Sequence, residues 1–105
     1  MLRAMIINEE DVTRLATTKV TDMKYMLYLG FDDAGYEIYS DFNQQIGNWD
    51  VSNVADMAGM FYYASSFNKD LSSWNVNNVT YCEGFSWGAT AWTLPQPNFT
   101  NCNPN

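Results

Sequence analysis

The sequence predicts an α/β repeat solenoid, a short right-handed coil of about three repeats with parallel strands and short helical or 3₁₀ segments. Two observations support this fold class. The segment Phe42–Val54 recurs as Phe67–Val79, 25 residues later. The apolar positions between the two copies keep the same spacing. In a solenoid, each repeat buries its inward side chains against its neighbours, so apolar positions stay in phase from repeat to repeat.

The inward positions form columns of apolar side chains. An upstream copy lies 34 residues before the middle one, because nine extra residues stand between Leu27 and Phe42. The predicted columns are Leu15, Trp49, Trp74 and Phe99; Val20, Val54 and Val79; Met23, Met57 and Cys82; Met26, Met60 and Phe85; and Phe42, Phe67 and Trp92. The methionines recur in register with the pattern, so they are interpreted as core and not as soft ligands for copper.

Each repeat predicts a strand, a turn, a short helical piece and an extended return. Trp49 and Val51 are two residues apart, which places both on one face of a short strand. Met57, Met60 and Phe61 then have the three-to-four spacing of a helical or 3₁₀ segment. The local pattern therefore agrees with the fold class.

The chain is expected to form a single repeat domain over residues 1–105. Its predicted parts are an N-terminal cap (1–14), a first repeat with the insert (15–41), a second repeat (42–66), a third repeat (67–91) and a C-terminal cap (92–105). The apolar opening of the chain is too short, and is interrupted by Arg3, to be a signal peptide. No apolar run approaches the roughly 20 residues that span a bilayer, so membrane insertion is not expected.

The composition argues against most enzyme classes. The chain has no histidine, which removes the usual central residue of Ser-His-Asp catalysis and of zinc hydrolysis. Twelve acidic and five basic residues give a formal net charge of −7, which argues against a nucleic-acid partner. We therefore expect no catalytic residues, no metal site and no cofactor.

Four acids near the insert, Asp32, Asp33, Glu37 and Asp41, suggest a calcium loop. Their spacing does not match the EF-hand pattern of alternating acids, a glycine and a distal glutamate. A solvated polar loop is the preferred interpretation.

The register of the two cysteines argues against a disulfide between them. Cys82 takes the inward position of Met57, whereas Cys102 aligns with Asn77. If the last repeat keeps the solenoid path, the two cysteines lie roughly 15 Å apart. A bridge needs Cα atoms within about 7 Å, so only a terminal segment that folds back would allow one.

Asparagines also recur one repeat apart. Asn53 and Asn78 form one column, and Asn43 and Asn68 form another. We expect their amides to hydrogen-bond turn backbone or to stack as a ladder. The glycosylation patterns that begin at Asn78 and Asn98 are interpreted as incidental.

Two surfaces are candidates for binding. The first is the outward face of the predicted strands, where side chains alternate with the buried ones. Its predicted ligand-binding residues are Asn48, Asp50, Ser52, Ser73, Asn75, Asn77, Asn98 and Thr100. The second is an aromatic interface, because Tyr and Trp are favoured anchors in protein interfaces. Its predicted residues are Tyr28, Tyr62, Tyr63 and Trp87, with Tyr36 and Tyr39 nearby in the insert.

The motif at Trp49–Val54, followed by Asp56–Phe61 and Ala64–Asn68, resembles the BspA-type leucine-rich-repeat family. That family includes a bacterial surface-protein repeat once described as a mycoplasma family of unknown function. The similarity covers Leu15–Asn103 and implies a leucine-rich-repeat fold, a cell-surface or extracellular location, and non-catalytic binding of a protein or surface glycan in adhesion. The composition leaves one alternative, a small acidic intracellular inhibitor that binds a nucleic-acid-processing protein.

Overall fold

The computed structural model describes residues 2–105, and its backbone consists almost entirely of turns. Its one helix within those residues, α1, spans Leu2–Ile7. The described part of the chain contains no strand, only isolated bridges: Asp22 to Asp56 and Asp56 to Tyr81 in parallel, and Phe31 to Glu37 antiparallel. Because the described residues form no strand, the predicted α/β repeat solenoid with parallel strands is wrong. No helix of residues 2–105 is long and apolar enough to cross a membrane.

Tight turns replace the predicted strand. The amide of Trp49 donates to the carbonyl of Ile46 over 3.1 Å, and the amide of Val54 donates to the carbonyl of Val51 over 3.0 Å. Each bond joins residues three apart, which is the closure of a β-turn. Trp49 and Val51 are both buried, as predicted, but the chain returns to the core by turning and not by the pleat of a strand.

The predicted helical piece around Met57 and Met60 is also a turn. Gly59 lies between them with a φ of 59°, in the left-handed region. A right-handed helix cannot pass through such a residue, so the three-to-four spacing here marks successive turns.

Main-chain hydrogen bonds join successive segments. The amides of Met57 and Tyr63 donate to the carbonyls of Tyr81 and Trp87, over 2.7 and 2.8 Å. Every second amide between Met57 and Tyr63 also donates to a carbonyl of that later segment. In the same way, every second amide of residues 23–27 donates to a carbonyl of residues 56–60. Equivalent positions of the 25-residue pattern therefore lie side by side without forming a sheet.

The core contains the predicted apolar columns. The rings of Trp49 and Trp74 stack with centroids 6.4 Å apart and planes 6° apart, and Phe42 stacks on Phe67 at 6.0 Å. The buried indole N–H of Trp74 donates to the carbonyl of Ile46 over 3.0 Å. The other column members are buried as well, except Leu15, Val20 and Phe99, which are partly buried against the core. The prediction of which residues form the core is confirmed.

Cys82 and Cys102 form a disulfide, with Cα atoms 5.9 Å apart. The register argued against this bridge, and the alternative of a C-terminal segment that folds back is correct. The carbonyl of Pro104 accepts a hydrogen bond from the amide of Gly84 over 3.1 Å, which holds this segment against residues near Cys82.

The path of the last segment explains the error. The amide side chain of Asn78 donates to the carbonyl of Ser52, and that of Asn101 donates to the carbonyl of Asn77. The two acceptors are 25 residues apart, but the two donors are only 23 apart. The final segment is thus shorter than the pattern, and Cys102 does not lie beside Asn77 as the register predicts.

Candidate functional site

The polar residues predicted to bind a ligand lie in turns and not on a strand face. All eight are exposed except Ser52, which is half-buried. The carboxylate of Asp50 accepts hydrogen bonds from the amide of Ser52 over 3.0 Å and from its hydroxyl over 2.6 Å. Both bonds lower the pKa of Asp50 below its ordinary value, and the bond from the hydroxyl has the larger effect.

Other members of this set also bind within the chain. The side-chain oxygen of Asn75 accepts from the amide of Asn77 over 3.1 Å, and the hydroxyl of Ser73 donates to the carbonyl of Gly47 over 3.1 Å. The Asn75 bond caps its own turn, as Asp, Asn and Ser readily do, whereas the Ser73 bond joins two segments. Within residues 2–105, the side chains of four members make no hydrogen bond: Asn48, Asn77, Asn98 and Thr100. The other four members of the polar set are occupied with bonds inside the chain.

Three asparagines form what we call the asparagine column, which comprises Asn53, Asn78 and Asn101. Their amide groups donate to the carbonyls of Thr18, Ser52 and Asn77, over 2.6, 2.7 and 2.7 Å. The predicted bonding of Asn53 and Asn78 to turn backbone is confirmed. Because the Asn78 amide is used in this way, the Asn78 of the glycosylation pattern has a structural role in this turn.

A second column follows the extended returns. The side-chain oxygen of Asn43 accepts from the amide of Asn68, and the side-chain oxygen of Asn68 accepts from the amide of Thr93, each over 2.9 Å. The predicted role of Asn43 and Asn68 in turn and segment bonding is likewise confirmed.

The structure brings the predicted interface residues together. Tyr62 lies at their centre, with its ring centroid 5.1 Å from Tyr28, 4.7 Å from Tyr63 and 5.2 Å from Trp87. Trp87 stacks on Tyr62 with planes 19° apart, and 57% of its surface remains exposed. One face of the indole is thus covered while much of the residue is open to solvent.

Two further tyrosines extend this group. The ring of Tyr25 lies 5.8 Å from Tyr28 and from Tyr62, and the ring of Tyr39 lies 5.3 Å from Tyr63. Tyr25 and Tyr39 are 45% and 59% exposed. The six side chains are called the aromatic surface: Tyr25, Tyr28, Tyr39, Tyr62, Tyr63 and Trp87.

Two rings of the aromatic surface lie directly on glycines of the next segment. A Cβ at Gly59 would lie 2.3 Å from Cε1 of Tyr25, and one at Gly88 would lie 2.7 Å from Cδ1 of Tyr63. Both distances are shorter than side chains tolerate, so only glycine leaves room for these rings. The glycines therefore shape the aromatic surface.

Tyr25 and Tyr63 also have left-handed backbones, with φ of 51° and 56°. The left-handed conformation costs roughly 1–2 kcal/mol for a residue with a Cβ. The positions equivalent to Tyr25 are Gly59 and Gly84, and the position equivalent to Tyr63 is Gly88. Tyrosine therefore occupies sites where other segments have glycine, and each tyrosine contributes a ring to the aromatic surface.

A carboxylate borders the aromatic surface. The hydroxyl of Tyr28 donates to Oε2 of Glu37 over 2.6 Å. This hydrogen bond is the main reason that the pKa of Tyr28 is raised to about 12, since ionisation of the phenol would break it. Arg3 donates to the main-chain carbonyl of Tyr28, so this cation contacts the backbone of the tyrosine and not the Glu37 carboxylate.

A cleft of about 560 Å³ adjoins the aromatic surface at Tyr39. It lies between the end of α1 and residues 39–44, and Glu9 and Asp41 supply carboxylates to its lining. Ile6 and Phe42 contribute apolar walls. Tyr39 belongs to both features, which makes the aromatic surface and the cleft continuous.

The acids of the insert are separated by the fold. The carboxylate of Asp32 accepts from the amides of Ala34 and Tyr36, both over 2.9 Å, and Glu37 contacts Tyr28. In residues 2–105, no three metal-ligating side chains of the His, Cys, Asp and Glu types lie together. Asp32 therefore has a turn-forming role.

A family model described as "Mycoplasma protein of unknown function, DUF285" matches residues 1–103. The chain belongs to this family. No curated protein and no solved structure matches the chain. Membership of the family does not establish the narrower resemblance to BspA-type leucine-rich repeats.

Sequence reasoning missed Tyr25 and Glu37 as parts of the candidate site. A signal for Tyr25 was present, because Gly59 follows it at the 34-residue spacing of the pattern, as Gly88 follows Tyr63 at 25. An aromatic residue matched to glycine one segment later indicates a ring lying on that glycine. Glu37 had no comparable signal, since the insert has no counterpart elsewhere in the chain.

Proposed function

We propose that this chain is a non-catalytic binding module and that its aromatic surface recognises a protein partner. The observation that carries the proposal is the left-handed backbone of Tyr25 and Tyr63. Strained residues concentrate at functional sites, where the strain is kept because the side chain is needed. Glycine at both positions would remove the strain and would also remove the two rings.

The exposure of the aromatic surface supports a role in recognition. Tyr25, Tyr39 and Trp87 are each at least 45% exposed, although rings of this size gain much from burial. Tyr and Trp supply large contact areas with few rotatable bonds, so they lose little conformational entropy when a partner binds. Neighbouring rings hold these three residues with centroids 5.2–5.8 Å apart, which orders them before binding.

The predicted polar set offers less to a partner. Asp50 and Asn75 use their side-chain oxygens to cap turns, and Ser73 donates to Gly47. A ligand would have to replace these internal bonds, whose loss offsets what it gains. We therefore assign binding to the aromatic surface.

Two further observations are consistent with a role outside the cell. The resemblance to BspA-type surface proteins favours adhesion, and the Cys82–Cys102 disulfide is typical of oxidising environments. A partner at a cell surface is the corresponding expectation.

A capture experiment with matched variants tests the proposal. Wild-type protein and Trp87→Ala are each used to capture partners from surface-protein extracts of the source cells, and the captured partner is then titrated with each variant. We expect Trp87→Ala to reduce affinity by tenfold or more, as for an aromatic hot spot. Tyr81→Ala is the matched control, because Tyr81 is 58% exposed and makes no ring contact with the aromatic surface.

Equal binding by wild type and Trp87→Ala would contradict the assignment. A loss of binding by Asn75→Ala, with Trp87→Ala unaffected, would place recognition on the polar set instead. Thermal unfolding of each variant shows whether a loss of binding arises from a loss of folded protein.

A further inference from the structure

We infer that the aromatic surface binds a cationic side chain, arginine or lysine, on an extended segment of the partner protein. This inference rests on the proposed function and specifies the chemistry of the partner. Three features of the structure lead to it: the open aromatic rings, the Glu37 carboxylate beside them, and the acidic cleft that continues from Tyr39.

The rings provide the first part of a cation site. Cations are attracted to the faces of Trp and Tyr, most strongly to Trp, within about 6 Å of the ring centroid. Trp87 has one face on Tyr62 and remains 57% exposed, while Tyr63 lies edge-on to it at 5.4 Å. A guanidinium group can therefore lie on the indole with tyrosine rings beside it.

Glu37 provides the second part. Its Oε2 accepts the hydroxyl of Tyr28, whose ring lies 6.5 Å from that of Tyr63. Glu37 is only half-buried, and Oε2 is the oxygen that accepts from Tyr28, so Oε1 is left to accept from a further donor. A guanidinium offers five N–H donors, enough to contact this carboxylate while it covers an aromatic ring.

The cleft extends the same chemistry. Tyr39 lines it together with Glu9 and Asp41, so a segment anchored on the aromatic surface meets two more carboxylates as it continues. The apolar side chains of Ile6 and Ile7 line the same cleft. This combination fits an extended segment with a second basic residue and an adjacent apolar one. The net charge of −7 favours the approach of such a partner.

Two peptides that differ only in charge test the inference. The probes are acetyl-Gly-Arg-Gly-Arg-Gly-amide and the same peptide with citrulline, the neutral isostere, in place of both arginines. Each is titrated into the intact, disulfide-bonded protein by calorimetry. We expect the arginine peptide to bind roughly tenfold more tightly, the difference expected of a cation–π contact with the rings together with an ionic contact with the Glu37 carboxylate.

Glu37→Gln supplies the decisive comparison. Glutamine keeps an oxygen that can accept the Tyr28 hydroxyl but removes the charge. We expect this variant to bind the arginine peptide several-fold more weakly while its affinity for the citrulline peptide stays unchanged. Asp33→Asn is the control, because Asp33 is an exposed acid of the same insert outside the aromatic surface and the cleft.

The outcomes separate this inference from the proposed function. Equal affinity for both peptides, lost in Trp87→Ala, would overturn the cationic preference and leave the aromatic surface as the binding site. Binding of the arginine peptide that survives both Glu37→Gln and Trp87→Ala would also overturn it. Failure of both peptides to bind would overturn it too, while the capture experiment with Trp87→Ala judges the proposed function independently.

Discussion

The asparagine column and the aromatic surface are built in the same way but differ in what they leave open. In both, side chains from successive segments lie beside one another. In the asparagine column, the amides of Asn53, Asn78 and Asn101 each donate to a main-chain carbonyl. In the aromatic surface, Tyr25 and Trp87 remain about half exposed.

The difference teaches that regular spacing does not by itself separate a structural column from a binding surface. The asparagines satisfy their own backbone and add no strain. Tyr25 and Tyr63 instead require left-handed φ values and glycines beneath their rings. Strained backbone that carries exposed rings indicates a functional role, whereas side chains whose amides are hydrogen-bonded within the chain indicate a structural role.

The largest expected effect distinguishes a core tryptophan from one in the aromatic surface. Trp74 is 5% exposed, stacks on Trp49 and donates its indole N–H to Ile46. We expect Trp74→Ala to lower the free energy of unfolding by about 3–5 kcal/mol, as for other buried aromatics. Chemical denaturation measures the change.

Trp87→Ala is the matched control for this prediction. Trp87 is 57% exposed, so its truncation should cost only about 1 kcal/mol, mainly from lost ring contacts. If the two variants were equally destabilised, the division between core and aromatic surface would be wrong.

The disulfide has the next largest expected effect. Cys82 and Cys102 close a loop with a sequence separation of 20 residues, and a bridge over such a loop contributes about 3 kcal/mol by restricting the unfolded chain. Cys102→Ala should lower the free energy of unfolding by about this amount. A reductant should destabilise the wild type and leave the variant unaffected; equal sensitivity to reductant would contradict the prediction.

The sequence allowed the core to be predicted better than the fold class. Burial depends on which residues are apolar, and the columns of Trp49, Met57 and Phe42 follow directly from that pattern. Whether the chain reaches the core by strands or by turns depends on φ values that composition shows poorly. The left-handed Gly59 was a visible sign, but Tyr25 and Tyr63 in the same conformation were not, because tyrosine is typical of strands.

The errors at the C-terminus and at the site have a similar cause. The disulfide was missed because the pattern was extended unchanged to Cys102, while the last segment is two residues shorter. Tyr28, Tyr62 and Trp87 were grouped correctly because they share a register, and Tyr63 follows Tyr62 directly in the chain. Glu37 lies in the insert, outside any register, and only the three-dimensional fold brings it to Tyr28.

A pair of glycine variants separates backbone strain from the packing of the aromatic surface. Gly59 and Gly84 have φ values of 59° and 66°, so alanine at either should cost roughly 1–2 kcal/mol. Of these two glycines, only Gly59 lies under a ring, that of Tyr25, while a Cβ at Gly84 would meet nothing within 4 Å.

Gly59→Ala should therefore also displace Tyr25, which near-ultraviolet circular dichroism of the aromatic rings reports. Gly84→Ala should lose similar stability and keep that spectrum. A spectrum unchanged in both variants would show that the ring of Tyr25 does not depend on Gly59.

A substitution in the asparagine column should have a smaller effect, and this effect should be on stability alone. Asn78→Ala removes one hydrogen bond of 2.7 Å to the carbonyl of Ser52, worth about 1 kcal/mol. Asn77→Ala is the control in the same turn, because the Asn77 side chain makes no hydrogen bond within residues 2–105. Thermal unfolding should show a loss for Asn78→Ala only. A loss of partner binding without a loss of stability would instead assign the asparagine column to recognition.

The smallest expected effect is a change in the titration of Tyr28, which contacts Glu37 at the edge of the aromatic surface. The hydrogen bond to Glu37 raises the pKa of Tyr28 to about 12 from an ordinary value of 10.0. Because the pKa is higher in the folded state, its contribution to stability is present below pH 10 and is lost as the pH rises towards 12. Phenolate absorbance, followed against pH, should show Tyr28 ionising late in the wild type; the pKa of Tyr63 is also raised, chiefly by burial.

Glu37→Gln should move that late ionisation towards the ordinary value, because a neutral acceptor favours the protonated phenol less than a carboxylate does. Asp41→Asn removes a charge from the neighbouring cleft without touching the Tyr28 hydroxyl, so it should leave the titration in place. If both variants shifted the titration equally, the general negative charge of this region would set the pKa of Tyr28, and Glu37 would lose its specific place beside the aromatic surface.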